Sequence, residues 1–104
     1  MNAKKEFLQE IEGKEVLCTY IRTDTYGNED KRHNLRLNYT PKEYDEFLES
    51  IDFNYDDGYG GQELFGVIWY VDGTWSDRRE YDGSEWWEHN ECPVIPEQLN
   101  KSIE

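Results

Sequence analysis

The sequence predicts an α+β domain: a single four-stranded antiparallel sheet with a helix packed on one face, in the order α-β-β-α-β-β. Three observations carry that prediction. Thr40-Pro41-Lys42-Glu43 forms a capping box, and a stripe of apolar residues at helical spacing comes directly after it. Four stretches, 15–23, 32–39, 64–71 and 74–81, read as strands. Turn residues between consecutive strands join them as two hairpins.

In chain order, Phe7, Leu8 and Ile11 fall at helical spacing within 4–12, and Gly13 suits a stop just past that short helix. In 15–23, Val16, Cys18 and Tyr20 alternate with Leu17, Thr19 and Ile21, as a strand requires. The polar run 24–30 is turn-rich, and 32–39 returns with Leu35, Leu37 and Tyr39 on one face. Thr40 then accepts from the N–H of Glu43 while Glu43 reaches back to Thr40, and Pro41 occupies the first helical position. Tyr44, Phe47, Leu48 and Ile51 come next at i, i+3, i+4 and i+7, a core-facing stripe. Residues 52–62 read as loop and 64–71 as the most apolar strand. Asp72-Gly73 is a type I′ hairpin signal leading into the mixed strand 74–81, and Asp82-Gly83-Ser84 is a second turn. The segment 85–89 suits a short final strand or a helical turn, and Pro93 and Pro96 force an extended tail.

A chain of 104 residues is one domain, 1–104. Its 15% aromatic content, with four Trp, supplies a core that acidic disordered chains lack. No stretch approaches the apolar length of a membrane span, and the first residues lack the pattern of a secretory signal, so a cytoplasmic location is expected. Cys18 and Cys92 are too few for a disulfide framework and are expected to be reduced there.

Charge is the strongest functional signal. Residues 1–40 hold seven Lys/Arg and seven Asp/Glu, whereas 41–104 hold four and seventeen, so the whole net charge of −13 lies in the second part. Such asymmetry points to an acidic surface meant for something basic, although charge also serves solubility. It disfavours direct contact with nucleic acid or an anionic membrane, since phosphate contacts need a basic patch.

Carboxylates three or four residues apart on a helix lie about 5–6 Å apart, and alternate strand residues about 6.6 Å apart. Both spacings approach that of successive phosphates. Glu43, Glu46, Glu49, Asp52, Asp56 and Asp57 are therefore candidates to enter a basic groove, with Asp77, Asp82, Glu85, Glu88 and Glu91 extending the array. A solvated helix face and polar loop produce the same pattern. Trp86 and Trp87 point to opposite sides if extended, and the exposed one of the pair would anchor an interface; Trp86 is included as that candidate.

Metal and catalytic motifs are incomplete. Asp52, Asn54, Asp56 and Glu63 match positions 1, 3, 5 and 12 of a calcium-binding loop, but the sixth position is Asp57 instead of Gly and the next element is a strand instead of a helix. Cys18, His33, His89 and Cys92 supply zinc-type ligands without the paired spacing. No nucleophile elbow or phosphate-binding glycine loop is present, so neither an enzyme nor a cofactor is expected. The alternatives to an acidic surface that binds a basic partner are a calcium-binding module and a homodimer formed through an open sheet edge or an exposed Trp.

The segments 39–48 (YTPKEYDEFL), 68–75 (IWYVDGTW) and 80–88 (EYDGSEWWE) resemble the small acidic accessory proteins of phages and mobile elements. That class includes anti-restriction and anti-CRISPR inhibitors, some of them DNA mimics. The resemblance implies an inhibitor in the host cytoplasm that occupies the basic groove of a nucleic-acid-binding or defence protein.

Overall fold

The computed structural model describes residues 2–23, 31–55, 62–82 and 84–92. Its seven elements run in the order α1 (Ala3–Glu10), β1 (Val16–Thr23), β2 (Lys31–Leu35), α2 (Pro41–Ser50), β3 (Leu64–Tyr70), β4 (Trp75–Tyr81) and β5 (Ser84–Asn90). The strands form one antiparallel sheet in the order β2-β1-β3-β4-β5. The fold is α+β as expected, but the sheet has five strands, not four, because 84–90 forms a complete edge strand.

That fifth strand is disguised by what it buries. Glu85 and Trp87 face inward while Trp86 and Glu88 face outward. The inward carboxylate meets Arg78, an inward arginine of the adjacent β4. A buried ion pair across two strands thus replaces the alternation of apolar and polar residues that marks a half-buried strand.

Both helices pack on one face of the sheet, α2 over β2 and α1 over β5, and the Phe7 and Phe47 rings meet edge-on with centroids 5.2 Å apart. Phe7, Ile21, Ile51, Leu64 and Ile68 are fully buried between the layers, each stabilising the fold by about 1.5–3 kcal/mol relative to exposure. Asn2 fixes the start of α1. Its side chain caps the helix at Lys5 N and donates to Asp52 and Asn54 Oδ1, tying the chain start to the end of α2.

A register shift between Val16 and Cys18 breaks the simple alternation in β1. Val16, Thr19, Ile21 and Thr23 therefore face the helices, while Cys18, Tyr20 and Arg22 fall on the opposite side, which no described helix covers, hereafter the uncovered face. Gly66 leaves no room for a side chain against β1: a Cβ there would sit 2.4 Å from the Tyr20 carbonyl oxygen.

Two turns differ from expectation. β2 ends at Leu35, earlier than 39, because the chain turns through Asn38 at φ 62°. Leu37 is consequently exposed, and Tyr39 turns back to donate its hydroxyl to Val16 O at 2.6 Å. The β3–β4 hairpin is closed by Gly73 N donating to Tyr70 O and Tyr70 N donating to Thr74 O. With Gly73 alone at positive φ, 90°, this is a three-residue loop of a type I turn plus a left-handed glycine, not a two-residue type I′ turn. The two-residue connection occurs at the next hairpin, where Tyr81 pairs with Ser84 after Asp82 at φ 52°.

Candidate interaction surfaces

Helix α2 begins as the sequence predicts. Thr40 Oγ1 accepts from Glu43 N at 3.1 Å, and Glu43 Oε1 accepts from Thr40 N at 3.2 Å. Phe47 and Ile51 are buried with Tyr44 and Leu48 half-buried beside them, which fixes the helix rotation. Glu43, Asp45, Glu46, Glu49 and, just beyond the helix, Asp52 are left in solvent. Asp45, Glu49 and Asp52 stand at i, i+4 and i+7, an acidic stripe along one side. Among the described residues, the one ion pair on this helix is Lys42–Glu46 at 4.0 Å, with both side chains largely exposed. On the other flank, a groove of 300 Å³ between α2 and the β2 edge is lined by Glu43 and Glu46 together with Arg36. The open acidic field is therefore centred on Asp45, Glu49 and Asp52. Asp45 is not among the candidates drawn from sequence; its signal is its place in that spacing.

The remaining candidates do not share this surface. Asp77, Trp86 and Glu88 project from the opposite, uncovered face of the sheet. There Asp77 accepts from Arg79 Nε at 2.8 Å and from Asn90 Nδ2 at 3.2 Å, while Glu88 accepts from Trp86 Nε1 at 2.8 Å. Trp86 is the exposed member of its pair, at 38%, and Trp87 the buried one, at 9%. Asp56 and Asp57 lie outside the described residues.

Glu85 belongs to neither surface. It is 4% exposed and accepts from the backbone N–H groups of Glu63 (2.7 Å) and Leu64 (3.0 Å) and from Arg78 Nη2 (3.0 Å). Arg78 Nη2 also donates to the Tyr55 hydroxyl at 3.0 Å, its Nη1 lies 3.4 Å from Glu6 Oε2, and its guanidinium stands over the Trp87 ring at 5.2 Å. The Tyr55 hydroxyl donates to Glu6. Burial first, then this hydrogen bond, push the Tyr55 hydroxyl's pKa far above its usual range. The group is an internal clamp joining α1, the stretch after α2, β4 and β5, so a basic partner cannot reach Glu85.

No described group gathers metal ligands. Among the described residues, no three His, Cys, Asp or Glu side chains converge on a cation position. Asp52 and Asn54 of the calcium pattern hold Asn2, and Asp56 lies outside the described residues. Cys18 lies on the uncovered sheet face, whereas His33 lies on the helix face, half-buried, its pKa lowered by burial and by Lys31. Both thiols are free, and burial raises the pKa of Cys18.

The uncovered face is the feature that sequence reasoning missed. Strand register aligns Arg32, Arg22 and Phe65 in one row, with Arg79 and Trp86 paired on the far side. The next row holds Asn34, Tyr20, Val67, Asp77 and Glu88. A third holds Cys18, Trp69, Trp75 and Asn90. The bulge at Leu17 sets which β1 residues join these rows, and bulges leave no clear mark in sequence.

The chain matches no family model, no curated protein and no solved structure.

Proposed function

We propose that the protein is a non-catalytic interaction protein whose α2 face occupies the basic groove of a nucleic-acid-binding protein, in the manner of a phage-type inhibitor of a host defence nuclease. The observation that supports this reading is the exposed stripe Asp45, Glu49 and Asp52 with Glu46 beside it, held on a helix whose start is fixed by a complete capping box. A stiff, preformed array of carboxylates meets a Lys/Arg groove without the ordering cost of a flexible acidic tail. Its field steers association and makes the complex salt-sensitive.

The test is capture on the immobilised protein from a cell lysate at low salt, with elution by a salt gradient. A basic nucleic-acid-binding protein should be retained and should elute at moderate salt. The Asp45→Lys, Glu46→Lys, Glu49→Lys variant should lose that protein while keeping its melting temperature within a few degrees. Equal retention by this variant would remove α2 as the contact face.

A further inference from the structure

We propose that the outer edge of β2 is a strand-addition site, and that its occupant is an extended segment of a partner protein with alternating acidic and basic side chains. β2 ends the sheet order, so one of its edges pairs with β1 and no described strand pairs with the other. Two local contacts identify the backbone groups left open. Lys31 O faces β1, where it accepts from Thr23 Oγ1 at 3.4 Å. The Tyr20 carbonyl points away from β2 toward β3, since a Cβ on Gly66 would meet it at 2.4 Å. Tyr20 and Asn34 therefore face each other without exchanging hydrogen bonds, and Arg22 and Arg32 do the same. Arg32 and Asn34 turn their N–H and C=O groups outward instead. An open edge of this kind is a template for another extended backbone.

The edge also has a wall. The groove of 300 Å³ beside it has residues 32–36 on the strand side and Glu43, Glu46, Phe47 and Ser50 on the helix side. Those four helix residues stand at i, i+3, i+4 and i+7, one flank of α2. Strand and helix thus border a single channel, and a strand added about 4.8 Å outside β2 enters it.

Charge selects the occupant. The Arg32 side chain points to the uncovered face, is exposed and has no ion-pair partner among the described residues. A residue added opposite Arg32 lies on the same face with its Cα about 5.5 Å away, where Asp or Glu is matched. Its neighbours along the added strand point the other way, toward the helix layer. There they meet Glu43, Glu46 and Ser50, which match Lys or Arg and repel a carboxylate. The exposed Lys42–Glu46 pair, at 4.0 Å, neutralises little of that wall. The same edge disfavours a second copy, because pairing β2 with itself sets Lys31 and Arg32 of both chains side by side. The groove lies on the flank of α2 away from Asp45, Glu49 and Asp52, so the two proposed contact sites stand or fall separately.

The test uses the full chain as bait for a displayed library of random peptides about ten residues long. Enriched peptides should alternate acidic and basic residues, and a synthetic copy, acetylated and amidated, should bind in calorimetry. Asn34→Pro removes an outward N–H and keeps the pairing with β1, because an edge strand tolerates proline where the N–H faces out. It should weaken the peptide about tenfold, the loss of one hydrogen bond. Arg32→Glu should also weaken it, and should regain affinity for a peptide whose matching acid is changed to Lys, which a misfolded variant would not do. An empty selection, peptides without the alternation, binding indifferent to both variants, or failure of the charge swap each overturns the proposal. A wild type that self-associates in sedimentation and turns monomeric with Asn34→Pro overturns it too, since the occupant is then a second copy.

Discussion

Arg78 shows how one residue decides the fate of several others. Its side chain is 1% exposed and meets Glu85, Tyr55 and Glu6, carried by three different segments. Removing one member of such a group strands the rest, at a cost of about 3–5 kcal/mol. Arg78→Met should lower stability by that amount in urea denaturation, and Glu85→Gln should destabilise as well, because Glu63 N–H donates to one carboxylate oxygen and Leu64 N–H and Arg78 to the other, and an amide keeps only one oxygen and turns its NH2 toward a donor on the other side. The tyrosines give a pH prediction. Burial lifts the Tyr70 hydroxyl from 10.0 to about 12, offset in part by its bond to Ser76, and Tyr55 is raised as well. A hydroxyl with a raised folded-state pKa holds its proton longer in the folded chain. Its contribution is intact below pH 10 and is lost as pH rises toward 12. Chemical denaturation across that window should show falling stability, with Tyr55 and Tyr70 among the tyrosines that ionise late by ultraviolet titration.

At the scale of the element, α2 was the most legible part of the chain, because capping, first-turn proline and apolar stripe are all local signals. Thr40→Ala should cost about 1 kcal/mol by removing the cap, read as a lower urea midpoint with unchanged slope. Glu43 takes part in the same box, so reversing its charge would perturb the helix as well as any interface. Asp45, Glu46 and Glu49 are the cleaner positions for reversal. β5 was the least legible element. Glu85 and Trp86-Trp87 conceal its inward and outward sides until Arg78 is known to be opposite, and that pairing depends on strand register. The hairpins carry a similar lesson: Asp72-Gly73 and Asp82-Gly83 look alike in sequence, yet Asp72 Oδ1 accepts from Thr74 N at 2.9 Å and the first turn takes three residues.

For the whole molecule, charge asymmetry along the chain translates into different surfaces, not one acidic side. The α2 carboxylates lie on the helix layer, Asp77 and Glu88 lie across the sheet from them, and Glu85 is internal. The count of acidic residues was visible in sequence, but their distribution required the topology, because neighbouring positions on a strand point to opposite faces. The acidic helix layer and the mixed aromatic face thus lie on opposite sides of the sheet. Competition offers the most direct test of the proposed role: a partner retained at low salt is titrated with this protein and with duplex DNA or RNA together. If α2 sits in the partner's nucleic-acid groove, each ligand should displace the other, and displacement should weaken in the Asp45→Lys, Glu46→Lys, Glu49→Lys variant. A stable ternary complex, with both ligands bound at saturating concentrations, would contradict the account.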